Sequence, residues 1–356
     1  MRHLPRFVSV LALLAVVVPA YADGTDDFLV FPGVIRTQRP NLDPTSTQAA
    51  LEFTPFADFF YSANFGADGR FRFLAEDVIT SSTHEIQRLQ LGWQLDPNLV
   101  VWLGRYHTPV GYWNTEYHHG QYLQTAITRP ALVSFEGANG ILPTHFTGLL
   151  VEYMNRLEAG GGIEYTLAVG ATATIEGRLR PLDVFDPQRS DNGLGIALRI
   201  AFQGDVLADD QIGLFLGHST FDAMGMPGLE SIEQLAVGAF ANRRFGELRL
   251  ISELVRFDNR IRGPSGGSSS AFHSLYLQGE YRLLHQLTAF GRAEWTERAR
   301  TDPFLQLLPD FIGERQIVGL RFDFKRWQAL TLEVAHRTNM SEVFDEVLVQ
   351  WSAVIP

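Results

Sequence analysis

Four histidines fall within one stretch of the chain: His107, His118, His119 and His145. Imidazole is the commonest metal ligand, and Glu116 and Glu136 lie among these residues. The chain has no cysteine, so a metal would have to be held by His, Asp or Glu. The spacing argues against a metal. His118 and His119 are adjacent and point apart in an extended segment, and no His-x-x-x-His pair exists to share a helix face. A second chemistry is acyl transfer, with Ser134 or Ser219 as nucleophile beside a histidine. No serine sits in a G-x-S-x-G elbow, but a triad is recognised by geometry rather than order, so a lipid hydrolase stays open. The third is electrostatic. Arg105 and Arg129 oppose Glu116 and Glu136, interleaved with Tyr112, Trp113, Tyr117 and Tyr122. Fixed charges of both signs at a constriction select what passes a pore. On that reading the histidines pack the loop against a wall.

All these residues belong to Arg105–His145, the longest stretch with neither strand nor helix periodicity. A structureless loop of this length is usually functional or disordered. This one is too aromatic for disorder. What it does depends on the elements that hold it.

Those elements are strands. After residue 65 the chain alternates with period two, in segments of about ten to twelve residues, the length that crosses a bilayer at a tilt. In 193–203, Leu194, Ile196, Leu198, Ile200 and Phe202 share one face, opposite Gly195, Ala197, Arg199, Ala201 and Gln203. The segments 162–174, 315–325 and 346–355 alternate in the same way. Similar segments occupy about 69–79, 84–95, 99–107, 144–155, 211–220, 231–243, 247–258, 271–283, 287–298 and 329–338. The apolar faces end in aromatics such as Tyr165, Tyr281, Trp295 and Trp351. The opposite faces mix small residues with Arg70, Arg72, Arg88, Arg199, Arg292, Glu294, Arg321, Asp323, Glu333 and Arg337.

The remaining composition narrows the class. Residues 1–22 read as a cleaved signal peptide: Arg2 and Arg6, an apolar core Phe7–Val18, and Ala20-Tyr21-Ala22 as the cleavage site. Acidic residues outnumber basic ones by 40 to 29, which argues against nucleic acid. Lys325 is the only lysine. Fourteen alternating segments in one row, with no helical period between them, are hard to bury as a soluble core. They close naturally into a transmembrane antiparallel barrel with lipid outside and water inside. Short turns alternate with long connections at 108–143, 175–192, 221–230, 259–270 and 299–313, and Arg262–Ser270 is a mobile Gly/Ser-rich loop on this reading. The apolar stretch Pro303–Phe311 could be a lid, a lipid-dipping loop or a subunit contact. Residues 23–65 form either an N-terminal extension or two further strands, at 28–37 and 48–62. An even count then gives fourteen or sixteen strands, with sixteen favoured. The barrel proper is 66–356, carrying 108–143 as an inserted loop.

Leu103-Gly104-Arg105-Tyr106-His107-Thr108-Pro109-Val110-Gly111-Tyr112 resembles the Gly-Arg-x-x-x-Pro-x-Gly pattern of Gram-negative outer-membrane porins where a strand runs into a long loop. It is akin to the phosphate-selective porins, and Tyr112–Gly120 with Arg129-Pro130 resembles a narrower subgroup of them with no assigned substrate. The resemblance spans the mature chain. Two departures are visible: the last residue is Pro356 rather than an aromatic, and the lysine-rich lumen of the phosphate-selective members is missing. The resemblance implies an outer-membrane channel for passive diffusion of small hydrophilic solutes. Its constriction would comprise Arg105, Tyr112, Trp113, Glu116, Tyr117, His118, His119, Arg129 and Glu136. It implies lipid as surroundings, no cofactor and no enzymatic role, and it leaves open whether the chain assembles as a homo-oligomer such as a trimer. The rivals are a non-conducting barrel, filled by its loop and serving structure or docking, and the barrel lipid hydrolase.

Overall fold

The computed structural model describes residues 26–39, 51–66, 68–81, 83–117, 121–158, 160–185, 193–264 and 266–356. The expected signal peptide, and with it His118 and His119, lies outside them. The strands are β1 (Asp26–Gln38), β2 (Leu51–Phe65), β3 (Phe71–Thr80), β4 (His84–Asp96), β5 (Leu99–His107), β6 (His145–Arg156), β7 (Gly162–Ala171), β8 (Thr174–Ile175) and β9 (Leu179–Arg180). They continue as β10 (Leu194–Gln203), β11 (Gln211–Asp222), β12 (Ser231–Phe245), β13 (Leu248–Gly263), β14 (Gly266–Leu284) and β15 (Leu287–Thr296). The last three are β16 (Glu314–Lys325), β17 (Gln328–Thr338) and β18 (Val343–Ala353). All but β8 and β9, which form a small ribbon of their own, close one antiparallel barrel of 16 strands. β1 seals it by pairing with β18, Gly33 opposite Ser352 and Thr37 opposite Leu348. The 23–65 segment thus supplies β1 and β2, which decides between fourteen and sixteen.

The sidedness of the alternation is inverted relative to a soluble protein. In β10 the apolar residues Leu194, Ile196, Leu198, Ile200 and Phe202 face outward and are exposed, whereas Arg199 faces inward at 1% exposure. Tyr165, Tyr281, Trp295 and Trp351 also stand on the exterior. At the end of the barrel with the short turns, Phe65 stacks on Phe71 and Phe71 on Trp93, and Tyr153 stacks on Tyr165. An apolar exterior bounded by aromatics around a polar interior is the arrangement a barrel needs in lipid, where closure leaves no strand edge unpaired.

One connection differs from the sequence reading, and another takes one of the alternatives it left open. The Gly/Ser-rich stretch at Arg262–Ser270 is not a mobile loop. β13 and β14 stay paired through it, from Leu248 opposite Tyr281 out to Gly263 opposite Gly266. Ladder hydrogen bonds come from the backbone, so a composition poor in strand formers does not end a hairpin whose lower half is already in register. The stretch Pro303–Phe311 folds inward as a short lid. Asp302 accepts the N–H groups of Phe304 (2.9 Å) and Leu305 (3.3 Å), while Phe304 stacks on Phe272 with centroids 6.3 Å apart. Phe304, Leu305, Leu308 and Phe311 are all buried.

Candidate functional site

The long loop enters the barrel. Its base is closed by the Thr108 N–H donating to the Thr144 carbonyl at 2.9 Å, and the Asn114 amide donates to both carbonyls, at 2.8 and 3.2 Å. Two glycines of the porin-like pattern set the path. Gly104 has φ +132°, and a Cβ there would lie 2.0 Å from the Leu89 carbonyl oxygen. Gly111 has φ +70°, and a Cβ there would lie 2.2 Å from Glu253 Oε2. Any other residue at either place would be strained and would collide. The chain then makes one helical turn, α1 (Trp113–Glu116).

From there the loop backbone is taken up by charged side chains of the wall. Glu253 on β13 accepts the N–H groups of Tyr112 and Trp113 at 2.8 Å each, and the Tyr276 hydroxyl at 2.8 Å. Glu333 on β17 accepts those of Ile127 and Thr128 at 2.9 and 3.2 Å. Glu294 on β15 accepts the Ala131 N–H at 2.6 Å, together with Arg292 Nε (2.7 Å) and Arg315 Nε (2.6 Å). Carbonyls are met by arginines: Arg321 donates to Tyr122 and Gln124, and Arg315 to Arg129. Loops expose backbone donors and acceptors that must find partners when buried. Here the barrel wall supplies them, and a charged partner makes each bond stronger than a neutral pair.

Strand register gives the depth. Arg321 sits opposite Thr331, and Thr331 opposite Gln350, so 122–124 reaches the lower part of β18 before the chain climbs back past Glu333 and Glu294. Tyr112, Trp113 and Tyr117 pack on Phe240, Ile251, Val255 and Tyr276 in one buried cluster. Arg249 donates to the hydroxyls of Tyr112 (2.7 Å) and Tyr117.

The residues singled out from sequence separate into groups. Tyr112, Trp113, Tyr117, Glu116, Arg129 and Glu136 all lie within or against the lumen. Glu116 accepts from Gln211 at 2.9 Å and faces Arg199 at 3.7 Å. Arg129 donates to Asn114 Oδ1 at 3.1 Å and stacks 3.9 Å over Phe135. Glu136 is buried against the rim strand: it accepts the His145 N–H and faces its Nδ1, both at 2.8 Å, and takes the Thr144 hydroxyl. Burial alone would raise the Glu136 carboxyl, but His145 and Thr144 hold it down at about 2. His107 and His145 stack edge-on, 4.8 Å apart, beside Phe135. Among the described residues no group of three His, Asp or Glu could hold a metal. Arg105 is buried but lies away from the loop's tip. It donates to the Leu182 carbonyl at 2.6 Å and pairs with Glu85 at 3.2 Å, tying β5 to the 172–193 connection. Ser134 donates to the Pro130 carbonyl at 3.3 Å.

The wall charges are mostly paired with one another. Arg88 meets Glu76 at 2.6 Å, Arg199 meets Glu164 at 2.9 Å, Arg321 meets Asp323 at 2.9 Å and Arg337 meets Glu346 at 2.6 Å. Arg72 donates to Gln94 at 2.6 Å. Arg70 is not in the lumen: it stands in the exposed turn before β3, 3.3 Å from Asp68. Sequence reasoning missed Glu253, Arg249 and Arg315. Glu253 and Arg249 sit on the inward face of an alternating segment, the one signal that could have found them.

No protein-family model matches the chain, and a search of curated proteins finds no match. Solved structures do match. An anion-selective porin from Comamonas acidovorans superposes with TM-score 0.63 at 12% identity, over 94% of this chain and all of that one. The fold is that of the outer-membrane porins. The outer-membrane channel DcaP of Acinetobacter baumannii matches at TM-score 0.58 and 11% identity, over 94% and 99% of the two chains. OmpT of Vibrio cholerae, expressed in the outer membrane, matches at 0.59 and 9%, again over 94% and 99%.

Proposed function

We propose that this porin-fold barrel stands in the outer membrane as a narrow channel for passive diffusion of small hydrophilic solutes, with the loop 108–143 as its constriction. The observation that carries the reading is the loop itself, drawn down the lumen and held there by Glu253, Glu294, Glu333, Arg315 and Arg321. A loop fixed at both backbone donors and acceptors sets a bore rather than flapping through it. Phosphate is not part of the proposal, because the wall arginines are already engaged with carboxylates and loop carbonyls. Deletion of residues 112–128 tests it: single-channel conductance in planar bilayers should rise several-fold, and an unchanged conductance rules the loop out as the constriction.

One observation favours a second reading, a non-conducting barrel. From β10 to β17 the inward residues are nearly all buried, among them Arg199, Ile251, Val255, Tyr276 and Glu333. If the purified protein opens no channel at any voltage, the closed barrel replaces the channel.

A further inference from the structure

The arginines of the inner wall are not all used to the same extent. Arg292 spends every guanidinium nitrogen: Nε on Glu294, Nη1 on Gln278 and Nη2 on the Thr128 hydroxyl. Arg321 does the same with Asp323 and the carbonyls of Tyr122 and Gln124. Arg39, Arg315 and Arg337 are engaged, but not at every nitrogen. Arg39 meets Glu346 through Nε at 2.7 Å, and Arg337 meets it through Nη2 at 2.6 Å. Arg315 gives Nε to Glu294 at 2.6 Å and Nη2 to the Arg129 carbonyl. Among the described residues their other nitrogens make no hydrogen bond, and Arg337 Nε is buried without one. Counting Arg292, the guanidinium groups of Arg39, Arg315 and Arg337 share only Glu294 and Glu346 as counter-charges. Glu333 is committed to the loop N–H groups of Ile127 and Thr128.

These arginines line one cavity of about 240 Å³, at the end of the barrel with the long connections. The side chains of Arg315 and Arg337 are 4% and 13% exposed, that of Arg39 40%. Two carboxylates also line the cavity, Asp310 and Glu342. Both are exposed, and among the described residues neither side chain has an ion pair or a hydrogen bond. Both stand on built turns. Asn339 Oδ1 accepts the N–H groups of Ser341 (2.9 Å) and Glu342 (2.8 Å). Asp310 lies between Leu308 and Phe311, the buried end of the lid, which the Phe311 N–H closes on the Leu308 carbonyl at 3.0 Å. The cavity thus carries surplus positive charge on its buried side and unpaired negative charge on its exposed side.

We propose that this cavity is a binding site for a small zwitterion, its carboxylate on the free N–H groups of Arg39, Arg315 and Arg337 and its ammonium group facing Asp310 and Glu342. Guanidinium N–H groups match a carboxylate in plane, and bonds between the two charged groups are stronger than neutral ones. Glu294 and Glu346 hold the arginines in place before the ligand arrives, so little ordering is lost on binding. The exposed carboxylates disfavour a dianion such as phosphate, and the arginines disfavour a lone cation. The volume is below the roughly 300–1,000 Å³ of a drug-sized site, which limits the ligand to the size of an amino acid. As a place of uptake ahead of the constriction the site rests on the channel reading; binding itself does not.

The test is a titration of the purified protein in detergent, followed by the NMR signals of the added ligand, at low ionic strength where exposed charges are least screened. The probes are γ-aminobutyrate, butyrate and butylammonium, one carbon chain carrying both charges, the negative one alone or the positive one alone. Saturable binding of γ-aminobutyrate about tenfold tighter than that of either singly charged probe is expected. In the double variant Asp310→Asn, Glu342→Gln, both changes exposed and clear of the wall's ion pairs, γ-aminobutyrate should bind no better than butyrate. Arg39→Gln should weaken γ-aminobutyrate and butyrate together. No saturation by γ-aminobutyrate, butyrate binding as tightly as γ-aminobutyrate in the wild type, or a double variant that keeps the preference overturns the site. Conductance is measured on the same wild-type protein. A barrel that does not conduct ends the channel reading, while the titration still decides whether the site exists.

Discussion

The wall from β11 to β17 and the wall from β18 to β2 obey one alternation rule, yet their inward polar groups have different fates. On the first, charged side chains have become part of the loop's own hydrogen-bond network: Glu253, Glu294 and Glu333 accept its N–H groups, and Arg315 and Arg321 donate to its carbonyls. On the second, Gln350 Oε1 and Ser352 Oγ are buried and have no hydrogen-bond partner among the described residues. Inward polar side chains hold the loop backbone on one side of the barrel and are buried beside it on the other. The loop touches both walls, its turn Gln121–Leu123 lying against β1 and β18, but the charged partners of its backbone come from the first.

The largest effect should come from Glu294→Ala. It removes the carboxylate shared by Arg292, Arg315 and the Ala131 N–H, leaving two buried guanidinium groups without their counter-charge. Removing one partner of a buried charge network costs about 3–5 kcal/mol. The expected outcome is rapid hydrogen exchange across 126–133 and a higher conductance. On the other wall Gln350→Ala removes no hydrogen bond seen among the described residues, so its effect on stability should stay below about 1 kcal/mol. Equal costs for the two variants, measured by denaturant unfolding of the barrel, would erase the distinction between the walls.

Gly111→Ala is a smaller break in the same contact. It places a Cβ against Glu253 Oε2 in a backbone conformation with φ +70°. About 1–3 kcal/mol of local strain is expected, seen as faster proteolysis within 112–128. Gly137 sits in the same loop with open space around its Cβ position, and Gly137→Ala should leave the cleavage rate unchanged.

Gly111 also shows how far the sequence could be read. The alternation, the even strand number and the start of the long loop after Gly104-Arg105 were all legible, because each is local: period two needs only neighbouring residues, and a left-handed glycine marks its own bend. The loop's destination was not. Tyr112 is 141 residues from Glu253 and Ile127 is 206 from Glu333. Nothing in the spacing of either pair shows that one carboxylate binds loop and another binds wall. The same limit explains Arg105. Its sequence neighbours placed it at a constriction, but its guanidinium reaches the Leu182 carbonyl of a different connection. It also explains the lid at Phe304–Phe311, whose burial depends on Phe272 of β14.

The mildest test separates the loop's rim from its depth. Glu136 fastens the returning end of the loop to β6 through the His145 N–H and ring and the Thr144 hydroxyl. Its carboxyl is held at about 2, below the usual 4.5. A depressed carboxylate contributes its full stabilisation above the unfolded value and loses it as pH falls through the folded one. Protection of the 134–145 backbone should therefore be constant at neutral pH and decline between about 4.5 and 2. In Glu136→Gln the decline in that window should shrink, because the titrating group is gone. Hydrogen exchange compared at equal intrinsic rate reads this out. An identical acid profile in the variant would mean that the rim is fastened by something other than Glu136.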